Sequence, residues 1–142
     1  MNTKSKLITW RKALITLAIL IGATMVVILP GVFWELHQAN VAFRSFSEAL
    51  ISGQYERAYD FAAPELRSTT DYASFVKVHE SLNTRMGSLE HVETSHSEVQ
   101  DKTDGWYATI DAQLVFVRGS LPFVFVLRKH NHSWEIYSYH ER

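Results

Sequence analysis

The stretch WYATIDAQLVFVR, residues 106–118, decides the fold class. Its apolar side chains recur at every second position and polar ones fill the positions between, which is the pattern of a half-buried β-strand. Two further strands, separated by short turns, are predicted at residues 121–129 and 134–140, and residues 89–98 form a polar, weakly patterned strand that is expected at a sheet edge. Because short turns favour antiparallel neighbours, the second half of the chain predicts an antiparallel sheet of about four strands.

The first half of the chain has a helical period. From residue 38 to residue 52, apolar side chains recur at spacings of three and four, which predicts an amphipathic helix ending at Gly53. A second, short helix is expected from Tyr55, closed by Pro64, and a third after Asp71. Helices followed by an antiparallel sheet indicate an α+β fold, with three helices packed on a curved sheet.

The formal net charge of −1 is the sum of two unlike regions. Residues 1–34 hold four basic residues and no acidic one, for +4, whereas residues 35–142 hold the other ten Lys and Arg against 15 Asp and Glu, for −5. A face that binds nucleic acid needs clustered Lys and Arg, so nucleic acid is excluded as a partner of this acidic region. The absence of cysteine excludes disulfides, thiolate metal sites and cysteine nucleophiles.

Residues 13–34 contain no charged residue and no histidine, and a helix of that length would be about 33 Å long. They predict a transmembrane helix that links a cytoplasmic basic segment, residues 1–12, to an extracytoplasmic domain, residues 35–142. The basic residues before the span place the N-terminus in the cytoplasm of a single-pass protein of the cell (inner) membrane. A cleaved signal peptide is the alternative, although its apolar run is usually only about 7 to 15 residues long.

Two stretches resemble the nuclear transport factor 2-like superfamily, in which a bent sheet wraps around helices to form a cone. FSEALISGQYERAY, residues 46–59, is similar to the Gly-Asp-Tyr and Ala-Tyr entry of many such domains, with Gln54 in place of the acidic residue. LRKHNHSWEIYSY, residues 127–139, is similar to their tight hairpin and Trp-x-Ile strand. The resemblance covers residues 38–142. Within the superfamily, the chain is similar to bacterial members that are membrane-anchored or secreted. It implies frequent sheet-to-sheet dimers, and some relatives are isomerases, dehydratases or cyclases that act inside the cone.

The alternation of side chains along the last strand predicts which of them would line such a cone. Trp134 and Ile136 are expected to face inward, which places Ser138 and His140 on the same side. With the helical residues, the ligand-pocket candidates are Tyr55, Tyr59, His79, Ser138 and His140. Asp111 is expected on the opposite face of its strand, so no carboxylate orients a histidine base and no catalytic residue is predicted. The simpler interpretation is that these side chains form the margin of a core, with their polar tips bonded to backbone or water.

The outward face of the predicted sheet carries aliphatic and tyrosine side chains. The interface candidates are Val115, Val117, Val124, Val126, Tyr137 and Tyr139. Apolar surface of this kind usually contacts a partner, so we expect a homodimer or a partner within a membrane complex. A one-residue bulge would exchange the two faces of a strand and weaken this expectation.

The seven histidines do not have the spacing of a metal site. His130 and His132 lie two residues apart and His91 and His96 five apart, without the i, i+4 helical pair or a third ligand. No glycine-rich phosphate loop and no nucleotide fingerprint is present. The sequence therefore predicts neither a metal nor a cofactor.

These observations predict a membrane-anchored domain outside the cytoplasm that binds a partner or a small ligand without catalysis. The alternative is a small isomerase- or hydrolase-type enzyme that uses the cone pocket. The two hypotheses differ in one structural respect, because an enzyme needs a cavity into which polar groups converge. A cone filled by its own aromatic side chains leaves no room for a substrate.

Overall fold

The computed structural model describes residues 30–142. Contacts divide the chain into two units, Met1–Trp34 and Glu35–Arg142, and the second unit is described below. Among residues 30–142, no helix is both long enough and apolar enough to cross a membrane. Residues 13–29 of the predicted transmembrane span lie outside the described residues.

Within residues 30–142, four helices precede the sheet. We call them α1 (residues 30–51), α2 (Tyr55–Asp60), α3 (Pro64–Thr69) and α4 (Tyr72–Met86). α1 ends as predicted, because Gly53 has a positive φ of 67° and the next amide, of Gln54, donates to the carbonyl of Ala49. The amide of Ser74 donates to the side chain of Asp71 at 2.7 Å and so caps the start of α4.

The number of helices differs from the prediction at Pro64. We expected this proline to end the second helix, but in the structure Pro64 begins α3. Proline is well suited to the first turn of a helix because the amide hydrogen it lacks has no partner within the helix there. Pro64 is therefore the first residue of an additional six-residue helix.

The second half of the chain is a four-stranded antiparallel sheet, as the alternation of side chains predicted. Its strands are β1 (Leu89–Lys102), β2 (Gly105–Phe116), β3 (Gly119–His130) and β4 (Ser133–Glu141), in the spatial order β1-β2-β3-β4. The sheet is curved, and the α+β prediction is confirmed for the described residues. A two-residue turn joins β3 to β4, with positive φ at Asn131 and His132.

The inner face of the sheet packs against α1. Phe43 and Phe46 of α1 lie with their ring centroids 4.9 Å and 6.0 Å from that of Phe125 on β3, and all three are almost completely buried. The rest of the core comes mainly from alternate residues of the strands, including Ala108, Ile110, Leu114, Leu127 and Ile136. Burial of these large side chains is the main source of stability for the domain.

A β-bulge lies in β4 at Tyr137. Val126 pairs with Ser138 and Leu127 pairs with Ile136, so one residue of β4 has no partner on β3. The alternation of β4 reverses at this point. The prediction that Ser138 and His140 share the inner side with Ile136 is therefore wrong, as is the outward placement of Tyr139.

Two connections attach the helices to the sheet. At the edge of β4, the amide of Ile136 donates to the carbonyl of Phe61 and the amide of Ala63 donates to the carbonyl of Ile136. At the end of α4, the amides of Val117 and Arg118 in the β2–β3 turn donate to the carbonyls of Ser88 and Met86. The first connection covers part of the β4 edge, and the second fixes the turn against the end of α4.

Candidate functional site

His79 is the centre of a buried aromatic cluster between α4 and β4. Only 7% of His79 is exposed, and its ring packs edge to face on Phe75 with a centroid distance of 4.5 Å. Tyr55 of α2 stacks on the other side at 6.0 Å. The hydroxyl of Tyr139 lies 3.5 Å from Nε2 of His79, and the Asn83 amide donates to the Tyr55 hydroxyl at 3.0 Å.

The titratable groups of this cluster are neutral near pH 7. Burial lowers the pKa of the His79 imidazole from an ordinary value of 6.5 to about 4. Burial raises the pKa of the Tyr139 hydroxyl to about 12. The pKa of Tyr55 is also raised, mainly by burial and then by the charge of Glu80, against a smaller lowering by the hydrogen bond from Asn83. These uncharged groups thus lie within the core or pack against it.

Tyr59 belongs to the neighbouring part of the core. Its ring packs on Phe75 at 5.4 Å, and its hydroxyl donates to the carbonyl of Thr70 at 2.8 Å. The guanidinium of Arg67 lies 5.2 Å from the Tyr59 ring centroid. This hydroxyl therefore connects α2 to the residue that ends α3.

The structure brings together Tyr55, Tyr59 and His79 but places Ser138 and His140 elsewhere. Both lie beyond the bulge on the outer face of β4, and His140 is exposed. Tyr139 occupies the inner position on β4 that the alternation of side chains had predicted for His140. Asn83 was also missed, although it follows His79 by one helical turn and this spacing is visible in the sequence.

The interior around His79 is almost completely filled by side chains. Beside His79 the described residues leave a space of only about 10 Å³, roughly the volume needed by one water molecule. Its lining residues are Leu50, Tyr55, His79, Leu82, Asn83, Leu89, Leu114 and Phe116. No carboxylate contributes to this lining, so the space offers neither room for a substrate nor an acid to orient the histidine.

The outer face of the sheet holds most of the interface candidates. Val115, Val124 and Val126 are half-buried in the isolated chain, and the Tyr137 ring meets that of Tyr107 at 5.8 Å. Val117 lies in the β2–β3 turn with 61% of its surface exposed. Tyr139 is excluded from this face, because its ring stacks on Phe125 in the core at 5.7 Å.

A second concave surface lies between α1 and β1, where the sequence had predicted no site. It has a volume of about 380 Å³ and is open to solvent on one side. We call it the α1–β1 groove, and its lining residues are Asn40, Phe43, Arg44, Ser47, Glu48, Ile51, His91, Val92 and Thr94. The position of a groove beside a strand edge depends on how a helix crosses a sheet, which no local pattern reports.

The histidines outside the core do not form a metal site in the described residues. Within residues 30–142, no three His, Asp or Glu side chains are arranged to hold a metal ion. His91 instead pairs with Glu93 at 3.0 Å on the exposed outer face of β1. His130 and His132 lie at the tight β3–β4 turn.

Comparisons with known proteins reveal the fold but not a family. No protein-family model matches the chain, and no curated protein matches it by sequence. Several solved structures of bacterial proteins share the fold at low identity. A protein from Catenulispora acidiphila has a TM-score of 0.56 at 12% identity, with 75% of this chain and 88% of that chain covered. Aln2 from a Streptomyces species has a TM-score of 0.55 at 8% identity, with 74% and 87% covered.

A third similar structure is Bd1075 of Bdellovibrio bacteriovorus, with a TM-score of 0.51 at 12% identity. It is matched over 68% of this chain but only 36% of its own length. At identities this low, the likeness extends to the fold and not to an activity.

Proposed function

We propose that residues 35–142 form a nuclear transport factor 2-like domain that binds a protein partner without catalysis. One observation carries this proposal: the interior beside His79 retains only about 10 Å³, so a substrate has no room next to this histidine. The buried His79 is uncharged near pH 7 and no carboxylate lines its surroundings. An isomerase or hydrolase mechanism centred on His79 would lack both a cavity and an acid–base pair.

The partner surface in this proposal is the outer face of the sheet. Val124 and Val126 of β3 lie on this face. Val124 is paired with Asp111 of β2 and His140 of β4, and Val126 with Thr109 and Ser138, whereas Val115 lies farther along β2, opposite Ser120. The flanking β1 contributes charged and polar side chains such as Glu93 and Glu98. The two valines thus form a small apolar patch among polar side chains, and such a mixture of apolar and polar surface is usual in protein interfaces outside obligate dimers. A second copy of this chain is the simplest occupant, since a twofold axis would place the two valine patches against each other.

Val126→Asp is expected to dissociate such a dimer. In a twofold interface one substitution introduces two carboxylates close together on a surface that association removes from water, which should weaken association at least about tenfold. Sedimentation velocity of the full chain in detergent micelles measures the change. Val78→Asp, the same substitution at an exposed valine of α4, is the matched control and should leave the sedimentation coefficient unchanged. If both variants and the unmodified chain all sediment as monomers, the homodimer is excluded.

We further propose that residues 13–34 anchor the domain in the cell membrane, with the N-terminus in the cytoplasm. The support is the uncharged stretch itself and the four basic residues that precede it. Alkaline phosphatase fused after Arg142 is expected to be active, because this reporter folds only outside the cytoplasm. Green fluorescent protein at the same site, which fluoresces only when it folds in the cytoplasm, is expected to stay dark. The opposite pair of results would reverse the orientation.

A further inference from the structure

The two edge strands of the sheet differ in whether other parts of the chain form hydrogen bonds with their backbone. The β4 edge is covered at Ile136, whose backbone is bonded to Phe61 and Ala63. The β1 edge has no backbone hydrogen-bond partner within residues 30–142. In an antiparallel edge strand, alternate residues direct their N–H and C=O groups away from the sheet. β1 therefore presents unpaired donors and acceptors on the side that faces away from β2.

Two bulges divide this free edge. The register between β1 and β2 shifts between Leu89 and His91 and again between Thr94 and His96, which leaves regular runs at residues 91–94 and 96–102. Bulges and charged side chains normally protect an edge strand against unwanted pairing. Residues 96–102 contain four charged side chains or histidines among seven, and none of them lines the α1–β1 groove. The run 91–94 is different because it forms one wall of the α1–β1 groove.

The groove has the dimensions and the chemistry of a site for a single extended chain. Its 380 Å³ is too little for a helix about 10 Å wide but fits a few side chains. Phe43 and Val92 give it an apolar floor. Arg44 and Glu48, one turn apart on α1, line it without an ion-pair partner among the described residues.

We propose that the α1–β1 groove binds an extended peptide segment of a partner protein, which pairs with the free edge of β1 at residues 91–94. A strand placed between a sheet edge and a helix obtains affinity from main-chain hydrogen bonds and specificity from alternate side chains. Residues i and i+2 of that strand point the same way. The segment we infer therefore carries a bulky aliphatic residue over Phe43 and Val92 and an acidic residue two positions away against Arg44.

Fluorescein-labelled hexapeptides of the form Thr-Thr-Leu-Thr-Z-Thr test this proposal, with Asp, Thr or Lys at Z. Fluorescence anisotropy with the full chain in detergent micelles is expected to show binding that is about tenfold tighter for Asp than for Lys, because a charge-assisted hydrogen bond to Arg44 is gained. Arg44→Glu is expected to reverse this order. Arg85→Glu, which makes the same charge change at an exposed position of α4, is expected to preserve it.

Two further measurements separate edge pairing from simple charge attraction. N-methylation of alternate peptide amides removes the donors that β1 would accept from and is expected to abolish binding. Val126→Asp on the sheet face should leave peptide affinity unchanged, so this site and the proposed dimer surface can fail independently. Any one of three results would overturn the proposal. None of the three peptides binds, Arg44→Glu leaves the preference for Asp unchanged, or the methylated peptides bind as tightly as the unmethylated ones.

Discussion

Replacing Gly87 by alanine is expected to lower the free energy of unfolding by about 3 kcal/mol. Gly87 follows α4 with φ 82° and ψ −177°, a conformation that is essentially restricted to glycine. An added Cβ would lie 2.8 Å from Cβ of Val117. Val117 cannot easily retreat, because its own amide and that of Arg118 are bonded to the segment around Gly87. Backbone strain and steric overlap therefore add to each other.

Gly53→Ala is the matched control for this loss of stability. Gly53 also has a positive φ, of 67°, but no atom lies within 4 Å of the position that a Cβ would occupy. Its substitution should cost only the conformational part, about 1 kcal/mol. Urea unfolding of the full chain followed by circular dichroism measures both variants. Equal losses would mean that the turn at Val117 moves freely, contrary to the contacts described above.

Between pH 7 and pH 4 the domain is expected to lose about 3 kcal/mol of stability through His79. The folded pKa of His79 is about 4, below its ordinary value of 6.5. Below pH 6.5 the unfolded chain binds a proton that the folded chain does not accept, so the stabilisation is complete above pH 6.5 and declines until about pH 4. The groups facing His79, the Tyr55 and Tyr139 hydroxyls, stay neutral throughout this range because burial raises the pKa of each.

The variant His79→Phe tests the assignment because it keeps an aromatic ring and removes the titration. Its unfolding free energy is expected to change less between pH 7 and pH 4 than that of the unmodified chain. His140→Phe removes an exposed histidine from the outer face of β4 and is expected to retain the full decline. Asp71, whose pKa is lowered by hydrogen bonds from Ser74, contributes only below this window. An identical pH dependence for His79→Phe and the unmodified chain would assign the decline to other groups.

Local sequence patterns predicted most of the helices and strands. The period of two in residues 106–116 predicted β2 because every second side chain there meets the core, and Gly53 predicted the end of α1 because that position needs a positive φ. Pro64 was harder to interpret, since proline is compatible with both the end and the first turn of a helix. Its role was decided by the bonds between the α2–α3 connection and Ile136, which join distant parts of the chain.

The candidate site was predictable where it depended on helices and not where it depended on β4. Tyr55, Tyr59 and His79 project from helical faces that an apolar stripe identifies, and the structure brings them together around Phe75. The position of Tyr139 depends on the bulge at Tyr137. No residue type marks that bulge in the sequence, and a single unpaired residue changes the orientation of every side chain after it.

The bulge has an evolutionary consequence. Loss of the Tyr137 codon would place Ser138 directly after Ile136, so that Ser138 would still pair with Val126 and Tyr139 would still fill the core. A slip of the end of β4 by one residue would instead remove the bulge without any deletion, turning Ser138 and His140 inward and Tyr139 outward. A filled core and a polar pocket are thus one register step apart in this fold, and the same side chains can supply either.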